Sequence, residues 1–209
     1  MDSFAIILAR GGSKGIKNKN LINVAGKPLI EWTIEHSIKC KYIKDVFVSS
    51  DSKEILDFSQ SKGATSILRP SVLSQDDSSS EDAWAHALEY IQNKKGYLLD
   101  FIVAPQVTSP LRGFNDFSYA LEKMKDEKLD SLLSVNELRD FFIWRKQDSK
   151  FISDNYDFKN RSRRQLINTK YHENGSFYIF KPEVLKQYKN RLGGKIGYYL
   201  MEEYKSFQI

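Results

Sequence analysis

The sequence predicts an α/β fold with a doubly wound, mainly parallel sheet of the Rossmann-like type. Apolar runs suited to buried strands alternate along most of the chain with segments of helical periodicity. The first apolar run, Phe4–Ala9, is continuous, as expected of a central parallel strand covered on both faces. The 209 residues suffice for one core, so we expect a single domain over 1–209.

In the first half of the chain, strands are expected at 4–9, 45–50 and 67–68, and helices at 29–38, 52–62 and 81–92. Pro28 precedes the first helix, and Gly63 is placed to end the second. Ser78 and Ser79 each precede an acid by three residues, which is the capping-box pattern at the start of the third.

In the second half, strands are expected at 101–104, 131–135, 176–180, 198–200 and 206–209, and helices at about 115–125 and from Pro182 onward. Residues 136–173 break this alternation with aromatic and then basic residues. An excursion of that length is usually functional or an interface. We interpret 136–173 as an insertion used for dimerisation and substrate binding; the alternative is a β-hairpin folded over its own domain.

Composition excludes several classes of function. The single cysteine, Cys40, rules out an internal disulfide, and the three scattered histidines form no recognisable zinc motif. No apolar run is long enough for a membrane span, and the first residues lack a signal-peptide layout. The net charge is +5, but the basic residues are spread along the chain among acidic ones, which argues against a nucleic acid as partner. We therefore expect a cytoplasmic protein without a membrane or nucleic-acid partner, acting on a small anion.

The loop after the first strand is the strongest functional signal. Glycines at 11, 12 and 15 allow positive φ and let backbone N–H groups approach an anion. Arg10, Lys14 and Lys19 could neutralise a polyphosphate. The loop fits neither Walker A nor G-x-G-x-x-G, so a phosphate site of another kind is predicted. The alternative is a solvated basic turn, which suits Lys17 best.

In a doubly wound sheet, ligands bind beyond the carboxyl ends of the strands. This rule brings the loop at 10–20 to the same edge as Asp51, the segment 69–80 and the segment 106–112. The sequence therefore predicts one composite site there.

These loops together resemble those of the acylneuraminate cytidylyltransferases, which make CMP-sialic acid and related bacterial CMP-sugars. The similar segments are Ala9-Arg10-Gly11-Gly12-Ser13-Lys14-Gly15 with Lys19-Asn20, Val48-Ser49-Ser50-Asp51, Arg69-Pro70, Gln106-Val107-Thr108-Ser109-Pro110-Leu111-Arg112, Arg164-Gln165 and Glu173-Asn174-Gly175-Ser176-Phe177-Tyr178. They run in the family's order along nearly the whole chain. Val107 stands where the family has proline.

The resemblance implies transfer of CMP from CTP to a nonulosonic acid, and a homodimer. The catalytic and phosphate-binding residues would be Arg10, Lys14 and Lys19. The nucleotide-binding set adds Ala9, Gly11, Gly12, Ser13, Asn20, Arg69, Ser78, Ser79 and Ser80. For the serines, helix capping is an equally good explanation.

The resemblance assigns the nine-carbon keto-sugar acid to Gln106, Ser109, Arg112 and Arg164, with guanidinium suited to the carboxylate. Arg112 has a structural ion-pair role as its alternative. Mg²⁺ is the implied cofactor, with no protein ligand identified. Asp51 is better explained as the cap of its helix than as a metal ligand. Family members continue past the residues corresponding to Ile209 into a stretch with a metal-binding aspartate. Either this sequence is truncated or the metal site is built otherwise, and turnover stays open.

The resemblance leaves three alternatives. The substrate is N-acetylneuraminate, legionaminate or pseudaminate. The sequence does not choose among these three sugars, because the shape of the pocket distinguishes them. Transfer to Kdo is disfavoured because that family carries an aspartate in the loop occupied here by 106–110. A relative that kept the pocket but binds without turnover is the non-enzymatic alternative.

Overall fold

The computed structural model describes residues 2–12, 15–96, 99–138, 142–161 and 169–209, with the side chain of Lys95 left out. Its centre is a seven-stranded sheet. The strands are β1 (Ser3–Leu8), β4 (Ile43–Ser50), β5 (Thr65–Leu68), β6 (Phe101–Pro105), β7 (Ser131–Leu138), β10 (Lys170–Phe180) and β11 (Ile196–Leu200). Their order across the sheet is β11-β7-β10-β6-β1-β4-β5. Two short antiparallel pairs lie outside it: β2 (Asn23–Val24) with β3 (Lys27–Pro28), and β8 (Trp144–Gln147) with β9 (Lys150–Ser153).

The predicted mainly parallel sheet is confirmed. Pairings β1–β4, β1–β6, β4–β5 and β7–β11 are parallel, whereas β10 runs antiparallel to both β6 and β7. From the central β1 the chain winds outward through β4 and β5, and later elements pair on the other side through β6. The carboxyl ends of β1 and β6 therefore flank the point where the winding direction changes, which is where such sheets bind ligands.

Helices cover both faces of the sheet. They are α1 (Leu29–Ile38), α2 (Lys53–Ser61), α3 (Ser80–Lys95), α4 (Asp116–Asp126) and α5 (Pro182–Tyr188). One core, with Ile30, Ile55 and Phe117, packs α1, α2 and α4 on one face. The other core, with Trp84 and Leu185, packs α3 and α5 on the opposite face. Burial on both faces explains why β1 reads as a continuous apolar run.

The predicted helix signals are largely confirmed. Pro28 precedes α1, and Gly63 follows α2 with φ +89°. Ser79 is the N-cap of α3, where its Oγ accepts from the Asp82 N–H at 3.0 Å. Ser78 makes no such cap, because its hydroxyl accepts from Gln75 N–H and donates to the Val72 carbonyl.

Two expectations differ from the structure. The strand expected at 206–209 is wrong: Glu203–Ser206 forms a 3-10 turn and the last residues are irregular. The expected excursion at 136–173 starts and ends within the sheet, because Asn136 pairs with His172 in the β7–β10 ladder. Among its described residues, Trp144 stacks on the exposed Phe151 and donates from Nε1 to the Tyr156 hydroxyl.

Within the described ranges, no helix has the length and apolarity required to cross a bilayer.

Candidate active site

The glycine-rich loop leaves β1 in contact with the neighbouring strand and its helix. Ala9 N–H donates to the Ser49 carbonyl at 3.0 Å, and Gly11 N–H donates to Asp51 Oδ1 at 2.9 Å. A Cβ added to Gly11 would lie 3.0 Å from the Ser52 Cβ. Gly11 is therefore required for close packing rather than for positive φ; among the described residues of this loop, Asn18 is left-handed, at φ 52°.

Asp51 is not the cap that the sequence suggested. Ser52 occupies the N-cap of α2, and its Oγ faces Ile55 N–H. Asp51 instead accepts the Gly11 N–H from the glycine-rich loop. The expected capping role of Asp51 is wrong because the helix begins one residue later than that role requires.

Asn20 and Arg10 hold the two ends of the loop together. Asn20 is buried, and its Nδ2 donates to the Arg10 carbonyl at 2.9 Å. The Arg10 side chain crosses to the next loop, where Nη1 lies 3.1 Å from Asp76 Oδ1 and 3.4 Å from the Gln75 carbonyl. That ion pair is half-exposed, and exposed pairs are weak. A more highly charged anion can therefore compete with Asp76 for Arg10.

Arg69 lies beside this group. It is 6% exposed, and its Nε donates to Ser74 Oγ at 2.9 Å. Burial lowers the pKa of Arg69, while Asp51 opposes that shift and Arg10 adds to it. Arg10, Asp51 and Arg69, from the ends of three neighbouring strands, thus form one electrostatic group at the predicted edge.

The predicted nucleotide serines differ in their surroundings. Ser79 Oγ accepts from Asp82 N–H and donates to Asp82 Oδ2 at 2.7 Å, so capping uses both its functions. Ser78 is bonded within its own turn. Ser80 is the first residue of α3 and is partly buried. A nucleotide contact by these three serines stays a prediction.

The loop after β6 is the predicted sugar-binding side. Gln106 N–H donates to the Ser176 carbonyl of β10 at 2.9 Å. Ser109 is fully buried, and its hydroxyl has no hydrogen-bond partner among the described residues. Arg112 is 3% exposed and bonds Gln106, Ser176 and Thr33. These contacts give Arg112 a structural role, as its alternative proposed. They are not the ion pair that the alternative named, because the bonded atoms are neutral oxygens rather than a carboxylate.

Lys19 connects the two sides of the site. Its Nζ lies 3.1 Å from the Ile209 carbonyl oxygen, and Ile209 N–H donates to the Thr108 carbonyl at 2.9 Å. Lys17 is exposed, as expected of a solvated cation. The predicted residues Ser13, Lys14 and Arg164 lie outside the described residues.

The sequence marked Asn174 as part of the segment 173–178 that resembles the family and as a residue that could orient loops, but it did not predict the contacts that Asn174 makes. Asn174 Nδ2 donates to Ser206 Oγ at 3.2 Å, and the Asn174 carbonyl accepts from Gln208 Nε2. These bonds hold the last residues of the sequence against β10. The available signal was Asn174-Gly175, a dipeptide that favours a turn with positive φ, and Gly175 has φ +64°. Nothing local in the sequence marked Asp76.

No group of three or more His, Cys, Asp or Glu side chains suited to a metal occurs in the part of the chain that the structure describes.

Comparison with known proteins places these loops in a family. The sequence matches the family profile described as cytidylyltransferase over residues 4–209. It is 36% identical over 209 residues to N-acylneuraminate cytidylyltransferase A of Danio rerio, covering 98% of this chain and 47% of that protein. It is 32% identical over 184 residues to a pseudaminic acid cytidylyltransferase of Campylobacter jejuni, covering 86% of this chain and 78% of that protein.

Solved structures share the fold. A CMP:2-keto-3-deoxy-manno-octonic acid synthetase in complex with CTP superposes with a TM-score of 0.68 at 17% identity, covering 96% of this chain and 90% of that one. A 4-diphosphocytidyl-2C-methyl-D-erythritol synthase from Anaerococcus prevotii gives 0.67 at 13% identity, covering 100% and 92%.

The chain spans about half the length of the N-acylneuraminate relatives that it matches. Its similarity to them nevertheless includes the segments that form the edge described above, and the family profile covers nearly every residue. This chain belongs to the cytidylyltransferase family.

Proposed function

We propose that the protein transfers CMP from CTP to the anomeric hydroxyl of a nonulosonic acid. That hydroxyl oxygen bonds to the α-phosphorus, the bond from the α-phosphorus to the bridging oxygen breaks, pyrophosphate leaves, and the hydroxyl proton passes to a base. One observation carries the proposal. On the phosphate side, Lys19 contacts Ile209, and Ile209 donates its N–H to Thr108 in the loop that carries Gln106 on the sugar side, so the two loops lie at one edge of the sheet.

The phosphate loop would bind the triphosphate. Arg10, Lys14 and Lys19 supply positive charge, and the Gly12 and Ser13 N–H groups are donors for phosphate oxygens. Such a reaction demands positioning and charge neutralisation more than covalent chemistry by the protein. The exposed Arg10–Asp76 pair supports this role, because Arg10 can exchange a single carboxylate for a polyphosphate.

Cytosine would lie near Arg69 and the segment 78–80. Arg69 is buried beside Arg10, and the structure gives it one side-chain hydrogen bond among the described residues, to Ser74. Its remaining guanidinium donors suit the O2 and N3 acceptors of cytosine. Asn20 would act mainly by shaping the loop, since its Nδ2 is already bonded to Arg10.

Mg²⁺ is the proposed cofactor. Magnesium usually binds through one or two carboxylates together with substrate phosphates and water. Asp51 fits such a site because it is exposed and one of its oxygens faces the phosphate loop at Gly11. When bound, the ion would supply positive charge to the phosphates.

The sugar acid would bind on the β6 side. Gln106 offers a half-buried amide, Ser109 offers a buried hydroxyl that has no partner among the described residues, and Arg164 is proposed for the carboxylate. Relatives named for N-acylneuraminate and for pseudaminic acid occur at similar identity. The substrate class is therefore a nonulosonic acid, with the individual sugar decided by assay.

We also propose a cytoplasmic homodimer. The single cysteine suits a reducing compartment such as the cytoplasm, which also supplies CTP. The exposed aromatic side chains around Trp144, namely Phe151 and Phe158, support the dimer, because exposed aromatic groups are typical of protein interfaces.

The direct test is release of pyrophosphate from CTP with Mg²⁺ and each of N-acetylneuraminate, legionaminate, pseudaminate and Kdo. Calorimetry of CTP binding runs in parallel. Product with a nonulosonic acid supports the proposal. CTP binding without product on any acid supports a binding protein instead, and product with Kdo alone contradicts the substrate class.

A further inference from the structure

Arg112 is a buried cation whose hydrogen-bond partners are neutral oxygens. Its Nη1 lies 2.9 Å from the Gln106 carbonyl and 2.9 Å from the Ser176 carbonyl, and Nη2 lies 2.6 Å from Thr33 Oγ1. Its Nε has no partner among the described residues. Burial lowers the pKa of Arg112 to about 9, and Asp116 opposes the shift.

Such burial is costly for stability alone. Apolar residues of similar volume often replace buried charged groups without loss of stability. The position of Arg112 within the fold therefore calls for another explanation. Arg112 is 3% exposed and both of its terminal nitrogens are bonded to protein atoms, so it offers little accessible surface for direct contact with substrate.

The main chain of Gln106 is hydrogen-bonded at both its N–H and its carbonyl. Its N–H donates to the Ser176 carbonyl, and its carbonyl accepts from Arg112 Nη1. The same Ser176 carbonyl also accepts from Arg112 Nη1, which closes a three-membered network. Thr33 extends the network to α1, on the other side of the loop.

The held segment carries a buried hydroxyl with free hydrogen-bonding capacity. Ser109 Oγ has no hydrogen-bond partner among the described residues, and the half-buried Gln106 side chain lies three residues before it. An unpartnered buried hydroxyl costs free energy, which a bound polar ligand would recover. Its usefulness depends on placement, since a misplacement of about 1 Å can cost about 100-fold in rate.

We infer that Arg112 is a positioning residue: by clamping the Gln106 carbonyl between β10 and α1, it sets the loop that presents Gln106 and Ser109 to the sugar acid. The inference rests on the proposed function. It differs from the role in substrate contact that the sequence suggested, because Arg112 acts here through the main chain of another residue.

The test compares Arg112→Met, Arg112→Lys, Gln106→Ala and the double variant Gln106→Ala/Arg112→Met. Val184→Ala, in the core under the opposite face, controls for lost stability. Thr33→Val removes one bond of Arg112 should Arg112→Met not fold. All are assayed below their melting temperatures for kcat, KM of the sugar acid and Kd of CTP.

We expect Arg112→Met to lower kcat/KM for the sugar acid by about 100-fold with CTP affinity retained. Arg112→Lys should recover part of the loss, and Thr33→Val should show a smaller one. The double variant should be no worse than the poorer single variant, because residues acting as one unit are not additive. Independent, multiplying losses would overturn the inference, as would parent kinetics in Arg112→Met.

Amide hydrogen exchange over residues 106–111 separates the two possible failures. Faster exchange in Arg112→Met than in Val184→Ala supports the clamp even if the parent makes no product, in which case the proposed function fails alone. Equal exchange in both variants overturns the clamp whatever the activity.

Discussion

Lys19 Nζ lies 3.1 Å from the carbonyl oxygen of Ile209, 190 positions later in the sequence. Ile209 in turn donates its N–H to Thr108 in the loop after β6. The end of the sequence is thus placed between the glycine-rich loop at 10–20 and the loop after β6. Asn174 holds that segment by hydrogen bonds with Ser206 and Gln208. Asp116 holds it through Lys205. Lys19 is thus held by a hydrogen bond to the other end of the sequence, whereas Lys17 is exposed.

The two lysines of the phosphate loop should differ in effect. Lys19→Ala removes an oriented charge and should raise the barrier by about 3 kcal/mol if Lys19 acts at the transition state. Lys17→Ala removes an exposed charge and should have little effect. The measurement is kcat/KM for CTP in both variants. Equal losses would show that the roles within the loop are misassigned.

Asp51→Asn tests the proposed metal contact. An asparagine oxygen can still accept from Gly11 N–H, so the free energy of unfolding should change little. The Mg²⁺ concentration for half-maximal activity should rise, because the ligand charge is lost. Asp57→Asn, exposed on α2, is the matched control. An unchanged Mg²⁺ dependence in Asp51→Asn would remove Asp51 from the metal site.

Ser79→Ala should destabilise the fold without altering CTP use. Its hydroxyl is used in both directions by Asp82, and loss of an N-cap costs about 1 kcal/mol. Ser80→Ala, one residue into the helix, should leave stability near that of the parent. Urea unfolding and KM for CTP are measured together. A raised KM in Ser79→Ala would instead support its predicted nucleotide contact.

His36 should make stability depend on pH. Burial and the nearby Arg112 lower the pKa of His36 from 6.5 to about 4. As pH falls from 6.5 towards 4, His36 therefore binds a proton in the unfolded chain but stays neutral in the folded chain. Stability is complete above pH 6.5 and decreases through that window by up to about 3 kcal/mol.

His36→Leu should flatten this part of the pH dependence. The measurement is the free energy of unfolding at pH 7 and pH 5 in parent and variant. Carboxylates contribute equally to both proteins, so the difference in slope reports His36. Identical slopes would mean that His36 is accessible to protons in the folded state.

The exposed aromatic cluster should mediate self-association. Phe151 is 68% exposed and stacks on Trp144, so Phe151→Asp should convert a dimer to a monomer in analytical ultracentrifugation. Leu68→Asp, at 69% exposure elsewhere, controls for the added charge. A parent that is monomeric at assay concentration would contradict the proposed dimer.

The sheet and its helices were predictable because each carries a local pattern. Continuous apolar runs marked β1 and β6, and Pro28, Gly63 and Ser79 marked helix ends. The short strand expected at 206–209 was wrong, because a strand there would need a pairing partner from a distant part of the sequence, which the local pattern does not reveal. Asn174 and Thr108 bond that segment individually, without a ladder.

The candidate site was predictable as a set of loops but not as a set of contacts. Strand order brings Arg10, Asp51 and Arg69 to one edge, as expected of parallel strands. The partners of Arg112 and Lys19 lie far away in sequence. No local pattern encodes them, so the clamp on Gln106 emerges only from the packing of α1, β6 and β10.

A crystal structure of the protein soaked with CTP tests the central claim most directly. We expect the triphosphate to lie against residues 10–20, with Lys19 in contact and cytosine beside Arg69. CTP bound elsewhere, with the loop at 10–20 facing bulk solvent, would contradict it.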